Sequence, residues 1–345
     1  MDPGANVSGN RTQVNLGNTW GSGAFPHSIF PLGTLLSITT TCALLFVVGV
    51  TGNVLTILVT RCCRDMRTTT NLYLSSMALS DLLIFLCMPF DLFRIWQYYP
   101  WVFGDLVCKL FQYVSEGCTY TTILHITALS VERYVAICFP LKAKVMVTKR
   151  RVKTIILAIW SLALLSASPV LVLVGVELVN SSAPDRAICR ETEFAETSGL
   201  LNTMSWVYTA YFFLPLLCMC VLYGLIGRKL WRKTPPGLGH GDRVTAHRDR
   251  SHRQSVKILV VVVVAFVVCW LPFHVGRNLF LLTSNADRWL KQLSQYFNIV
   301  AIVFFYLSAA INPVLYNIVS SNYRTAACRL LLGAPAKHRI MWSRG

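Results

Sequence analysis

Apolar residues gather along this chain into seven runs, about Leu32 to Thr60, Asn71 to Trp96, Leu106 to Cys138, Val152 to Val174, Leu200 to Leu230, Val256 to Leu282 and Leu290 to Ile318. Each is at least as long as the roughly 20 residues a helix needs to cross a bilayer's hydrocarbon. Mostly short, polar connections separate the runs. No Gly- or Ser-rich linker, heptad array or internal repeat marks a second folding unit, so the runs predict one bundle. The expected fold is an all-α membrane protein, a seven-transmembrane helix bundle over 32–318. An extracellular, glycosylated segment at 1–31 precedes it. A short amphipathic helix and cytoplasmic tail at 319–345 follow.

Composition supports that pattern. A chain of 345 residues is long enough for two or three soluble domains, yet only 14% of it is charged and 54% is hydrophobic, where a soluble domain carries about a quarter charged residues. The net charge of +17 raises nucleic acid as a partner until the basic residues are placed. Most lie in the connections after the first, third and fifth runs and in the tail, as with Arg61, Arg64 and Arg67 or Lys149, Arg150 and Arg151. Lys and Arg beside spans resist translocation, so these connections are expected in the cytoplasm and the N-terminus outside. No nucleic-acid partner is implied. The first residues lack an apolar core followed by a small-residue cleavage site, which predicts that the first span serves as the signal anchor. Asn6, Asn10 and Asn180 open glycosylation sequons on the predicted outer side.

Of the 12 cysteines, Cys108 and Cys189 fall at the outer face, where disulfides persist. A bond between them would hold the second outer connection across the bundle mouth; the alternative is two free thiols. Cys328 follows the last span in a basic amphipathic stretch and is a candidate for palmitoylation.

Charge at mid-bilayer is costly, so a residue that carries it there is expected to face the bundle interior. Asp81 lies in the middle of the second run, and Asn53 and Asn312 are also deep. Pro313 removes a backbone hydrogen bond beside Asn312 and leaves a carbonyl open. These residues, with Thr122 and Ser308, form a predicted polar core. Its oxygens suit an allosteric sodium ion, since hard cations prefer oxygen ligands, or else make a hydrogen-bond network without one. Apart from sodium, no metal or cofactor is implied. Ion transport is a weaker reading, because a pathway needs further acids along the route.

Gly52-Asn53-Val54, Leu79 to Asp81, Glu132-Arg133-Tyr134, Trp160, Pro215 with Tyr223, Cys269 to Pro272 and Asn312 to Tyr316 together resemble the signatures of rhodopsin-like G-protein-coupled receptors, one set in each run and in order. The resemblance implies a receptor and not an enzyme. It assigns Trp270 and Phe266, with Pro215 and Ile123, to a switch that hinges at Pro272; ordinary core packing is the plainer account. It also gives the Asn312-Pro313 kink, Tyr223 and Tyr316 inward-turning roles. Glu132, Arg133 and Tyr134 fall to G-protein coupling, with Glu132 expected to pair with Arg133 at rest. Members often add an acid at the inner end of the sixth helix, where Ser251-His252-Arg253-Gln254 stands here. Ligand-free signalling is therefore expected. Where a retinal protein carries its lysine, this chain has Tyr306.

In the outer half, Gln112 and Glu116 share a face of the third helix, and Trp270, Phe273, His274 and Arg277 share one on the sixth. Glu116 facing Arg277 would give a ligand both signs of charge; mutual neutralisation is the structural alternative. Asp91 either joins the pocket or pairs with Arg94 one turn on. Ser115 stands where amine receptors carry an acid, which argues against an amine. The stretches Arg67 to Leu74, Cys108 to Phe111, Leu222 to Arg228 and Cys269 to Arg277 resemble the ghrelin and motilin receptor family. Glu116 to Tyr120, Leu124-His125, Thr209 to Phe213 and Ser294 to Val300 look closer to its motilin branch, which implies a motilin-like peptide hormone as ligand, with ghrelin, neuromedin U or neurotensin-like peptides as alternatives. The family further implies a Gq-class heterotrimeric G protein and arrestin at the inner face, in a plasma membrane whose lipids include cholesterol. Transporters usually show related halves with matching broken helices; none is evident, and no nucleophile or metal-binding set suggests an enzyme.

Overall fold

The computed structural model describes residues 28–178, 187–232, 260–261, 263–276, 288–319 and 321–332. The elements are α1 (Leu32–Cys62), a 3-10 turn (Arg64–Met66), α2 (Thr69–Trp96), α3 (Gly104–Cys138), α4 (Pro140–Met146), α5 (Lys149–Ala167), α6 (Val170–Leu173), β1 (Val174–Leu178), β2 (Ala187–Glu191) and α7 (Glu193–Thr197). After them come α8 (Leu200–Arg232), α9 (Val263–Gly276), α10 (Arg288–Val319) and α11 (Ser321–Leu332). The long helices begin and end within a few residues of the apolar runs. Asn6, Asn10, Asn180 and Arg277 lie outside the described residues, as does the side chain of Tyr316.

Among the described residues, five helical segments are long and apolar enough to cross a bilayer, namely α1, α2, α5 continued by α6, α8 and α10. The longest described helix, α3 at 35 residues, is less apolar for a structural reason. It sits at the middle of the bundle against α2, α5 and α8, and Glu116, Thr119, Thr121, Thr122, His125 and Ser130 are buried there. The outer helices are inverted in the opposite sense. Leu44 on α1, Leu165 on α5 and Leu214 on α8 are each at least 65% exposed, the pattern expected when the solvent is lipid.

Hydroxyls survive in these helices by bonding their own backbone. In α1, Thr39, Thr40 and Thr56 each donate to the carbonyl four residues earlier at 2.7–2.9 Å. Close approach sets other positions. A Cβ on Gly49 would lie 2.1 Å from the ring of Phe85, and one on Gly52 would lie 2.7 Å from Pro313. Glycine is thus what allows α1 to seat against α2 and α10.

The expected bundle carries two additions. The second outer connection contains an antiparallel β1–β2 pair in which Val176 faces Cys189. The Cys108–Cys189 disulfide ties it to α3, and Asp105 accepts a hydrogen bond from the Val176 amide at 3.0 Å. At the inner end, α11 buries Tyr323, Ala326 and Ala327 against Val59 and Met66. These three, spaced three and four apart, make the amphipathic face the sequence predicted. Tyr323 shares a 2.9 Å hydroxyl bond with Thr56. Cys328 is exposed on that helix.

Candidate functional site

The polar core assembles around a proline. Pro313 cannot donate to the carbonyl of Ala309, four residues back, and the Asn53 amide takes up that carbonyl at 3.0 Å while also donating to Gly49 at 2.9 Å. Next to the same proline, Asn312 donates to Asp81 Oδ2 at 3.0 Å. Helices α1, α2 and α10 are therefore joined by polar contacts that hydrocarbon makes worth keeping. Thr122 completes the link to α3, bonding Ser80 at 2.9 Å. Ser308 turns to its own helix and donates to Phe305 at 2.6 Å. Ser80 is a member the sequence reading did not single out, since a serine in a helix ordinarily bonds its own backbone.

Asp81 is buried at 1% exposure, and its second oxygen, Oδ1, has no hydrogen-bond partner. A small cavity is lined by Thr122, Phe266, Trp270, Ser308 and Asn312 among others, and Asn312 is the residue that bonds Asp81. An orphan carboxylate oxygen with hydroxyl and amide oxygens nearby fits a hard monovalent cation.

Above this cavity the aromatic residues stack into one column. Trp270 is almost wholly buried and meets Phe305 edge-on at 5.6 Å, Phe273 at 6.1 Å and Phe266 at 6.3 Å. Phe212 of α8 stacks on Phe266 at 5.6 Å and touches His274 at 4.5 Å. Ile123 belongs to the same buried cluster, and Pro215 lies within α8. Helix α9 continues through Pro272. Phe212 was absent from the expected switch set; its place one turn from Pro215 is the signal that would have found it.

At the outer end, Tyr306 donates to Asp91 at 2.6 Å, and Arg94 approaches the other carboxylate oxygen at 3.8 Å. The intrahelical Asp91–Arg94 pairing is thus formed, and a tyrosine from α10 joins it. Tyr306 also stacks near Phe85 at 6.2 Å, the ring that fills the notch left by Gly49. Glu116 is buried on α3 with Gln112 one turn above it and half-buried. The expected pairing with Arg277 falls outside the described residues.

The inner end departs from expectation. Among the described residues, Glu132 and Arg133 do not form an ion pair. The Glu132 carboxylate instead accepts a hydrogen bond from Thr69 at 2.8 Å, and the Arg133 guanidinium donates to Thr70. The two side chains remain electrostatic neighbours, but the hydrogen bond of each goes to a hydroxyl on α2. Tyr134 and Tyr223 pack against the buried cluster of Ile137, Cys138 and Ile226, while the Tyr223 hydroxyl bonds Ser130 at 2.6 Å.

Comparison with known proteins agrees with this architecture. Residues 52–316 match the family model for the 7 transmembrane receptor (rhodopsin family). The chain is 61% identical over 313 residues to the growth hormone secretagogue receptor type 1 of Oryctolagus cuniculus, covering 90% of this chain and 85% of that protein. Against the receptor of the same name from Homo sapiens it is 60% identical over 315 residues, with the same two coverages. Against the motilin receptor of Homo sapiens it is 51% identical over 353 residues, covering 90% and 84%. The local stretches that pointed toward the motilin branch are outweighed by the chain as a whole.

Proposed function

We propose, because this chain belongs to the rhodopsin family of 7 transmembrane receptors, that it is a plasma-membrane receptor for a peptide hormone of the growth hormone secretagogue, or ghrelin, type. The observation that carries this reading is the identity of 60–61% to receptors of that name against 51% to a motilin receptor. The four local stretches that resemble the motilin branch keep motilin as the second reading. Cells expressing the chain are expected to release calcium on addition of ghrelin and to respond less, or only at higher dose, to motilin. A motilin response without a ghrelin response would reverse the assignment.

The outer pocket in this reading is formed by Gln112, Glu116, Asp91, Tyr306, Phe273 and His274, with Arg277 contributing the second charge. A peptide enters from the extracellular side, beneath the hairpin held by Cys108–Cys189. The residues that line the Trp270 column then report its occupancy downward, and α9 swings about Pro272. Arg133 meets a G protein of the Gq class, which leads to phospholipase C; arrestin and anionic lipid share that basic face. Tyr316 and Tyr223 turn inward in the same step. Asn6, Asn10 and Asn180 carry glycans outside, and Cys328 carries an acyl chain inside.

Sodium belongs to the resting state in this reading. Asp81, Thr122, Ser308 and Asn312, with Asn53 holding the kink, would contain it, and the charge it supplies would neutralise the orphan carboxylate oxygen. Replacing sodium with choline in the binding buffer is expected to raise peptide affinity in membranes bearing the unmodified receptor, and to leave affinity unchanged in Asp81→Asn. Equal sodium sensitivity in both would remove the ion from the account.

A further inference from the structure

The inner half of α3 is fastened to α2, although the sequence predicts that Glu132 and Arg133 hold each other. Rhodopsin-like receptors with an acid at the inner end of the sixth helix can hold the α3 arginine from there, but this chain has Ser251-His252-Arg253-Gln254 in that stretch. Its Glu132 and Arg133 are held by the hydroxyls of Thr69 and Thr70 at the start of α2.

Those hydroxyls are themselves well anchored. They belong to the first two residues of α2, whose N-cap Thr68 accepts from the Asn71 amide at 3.2 Å. The Asn71 side chain reaches back to the Met66 carbonyl at 2.6 Å, and the Arg67 guanidinium donates to the Arg61 carbonyl at the end of α1 at 2.6 Å. A capped helix start braced against α1 does not drift with α9. Movement of α9 alone therefore leaves Arg133 bonded to α2.

We propose that Thr69 and Thr70 form a resting-state latch, and that Arg133 becomes available to an inner partner only when its bond to Thr70 and the Glu132 bond to Thr69 break. The inference rests on the receptor reading above, and it assigns the restraint to α2. Its consequence is quantitative. A hydrogen bond to a charged group is worth enough that losing one shifts a two-state balance roughly tenfold.

The test measures inositol phosphate accumulation without added peptide, per receptor at the cell surface, in cells expressing the full chain. Thr70→Val keeps the shape and loses the hydroxyl; agonist-free output is expected to rise roughly tenfold. Thr70→Ser keeps the hydroxyl and is expected to restore the unmodified level, an outcome that mere packing would not give. On the other bond, Thr69→Val and Glu132→Leu should each raise output, and the double variant should rise no further than Glu132→Leu alone, because the Thr69 hydroxyl then has no carboxylate left to lose. That second arm stands if Thr70→Val fails to reach the surface. Unmodified output in Thr70→Val at normal surface density, an equal rise in Thr70→Ser, or additive effects of Thr69→Val and Glu132→Leu would each overturn the latch. The hormone assignment fails separately. It falls if the unmodified receptor ignores ghrelin and motilin, whereas the latch falls if that receptor responds and the variants show no agonist-free rise.

Discussion

Replacing Trp270 with alanine is expected to abolish peptide-evoked calcium release and to destabilise the receptor by about 3–5 kcal/mol, the usual cost of emptying a large buried aromatic site. The side chain is 1% exposed and has Phe266, Phe273 and Phe305 as ring neighbours within 6.3 Å. Its removal opens a void at the meeting of α9 and α10, continuous with the cavity that Trp270 lines together with Thr122 and Asn312. Two effects then separate. The void lowers the unfolding temperature in detergent, and the broken column uncouples the outer pocket from the inner face. Trp270→Phe tests the distinction, since it refills part of the volume without the indole; it should recover more of the stability than of the signal. Full calcium release by Trp270→Ala at normal surface density would remove the tryptophan from the switch.

Cys108→Ser should have an effect of similar size at the outer face, about 2–5 kcal/mol by the usual range for a lost native disulfide. The bond spans 81 positions of sequence and fixes β2 to the outer turn of α3. Two described hydrogen bonds remain beside the packing of Val174 and Val176 on the cluster that contains Trp101 and Phe111, the Val176 amide on Asp105 and the Trp101 amide on the Ala187 carbonyl at 2.8 Å. Lys109 donates to the other Asp105 oxygen at 2.6 Å and holds that exposed carboxyl below the usual range, so the Asp105 contact persists near neutral pH. The hairpin should consequently stay near the mouth while losing its fixed position. Saturation binding of labelled peptide at the cell surface is expected to show a large loss of affinity in Cys108→Ser, the same loss in Cys189→Ser, and none beyond it in the double variant. Native affinity in either single variant would show that the remaining contacts suffice.

Apolar run lengths set the helices, and the limits of every run but the sixth, whose ends lie outside the described residues, held to within a few residues because desolvated backbone leaves hydrocarbon few choices besides helix. The same constraint made Asp81, Asn53 and Asn312 readable as interior positions before any partner was known. Partner choice was not readable. The polar core was expected as a group, without partners; within it Asn53 settles on the Ala309 carbonyl that Pro313 leaves open, and Thr122 bonds Ser80. Glu132 and Arg133 were expected to hold each other, and each bonds a threonine of α2. Ghrelin-type and motilin-type resemblance likewise divided by scale, since four short stretches pointed one way and overall identity the other.

From sequence alone came the all-α class, the single bundle, the inward-facing polar residues and the cysteine pair at the outer face. Each follows from a one-dimensional pattern acting against a uniform solvent, in which a charged or amide group is either sheltered or absent. Tertiary structure alone decided which sheltered groups meet. A threonine hydroxyl satisfied by its own helix and one that reaches across to another look identical in sequence; they differ only in how near two helices come and how each is turned. Gly49, Gly52 and Phe85 set that approach for α1, and the capped start of α2 sets it for the inner end of α3. The latch, the carbonyl taken up by Asn53 and the orphan oxygen of Asp81 are products of that packing.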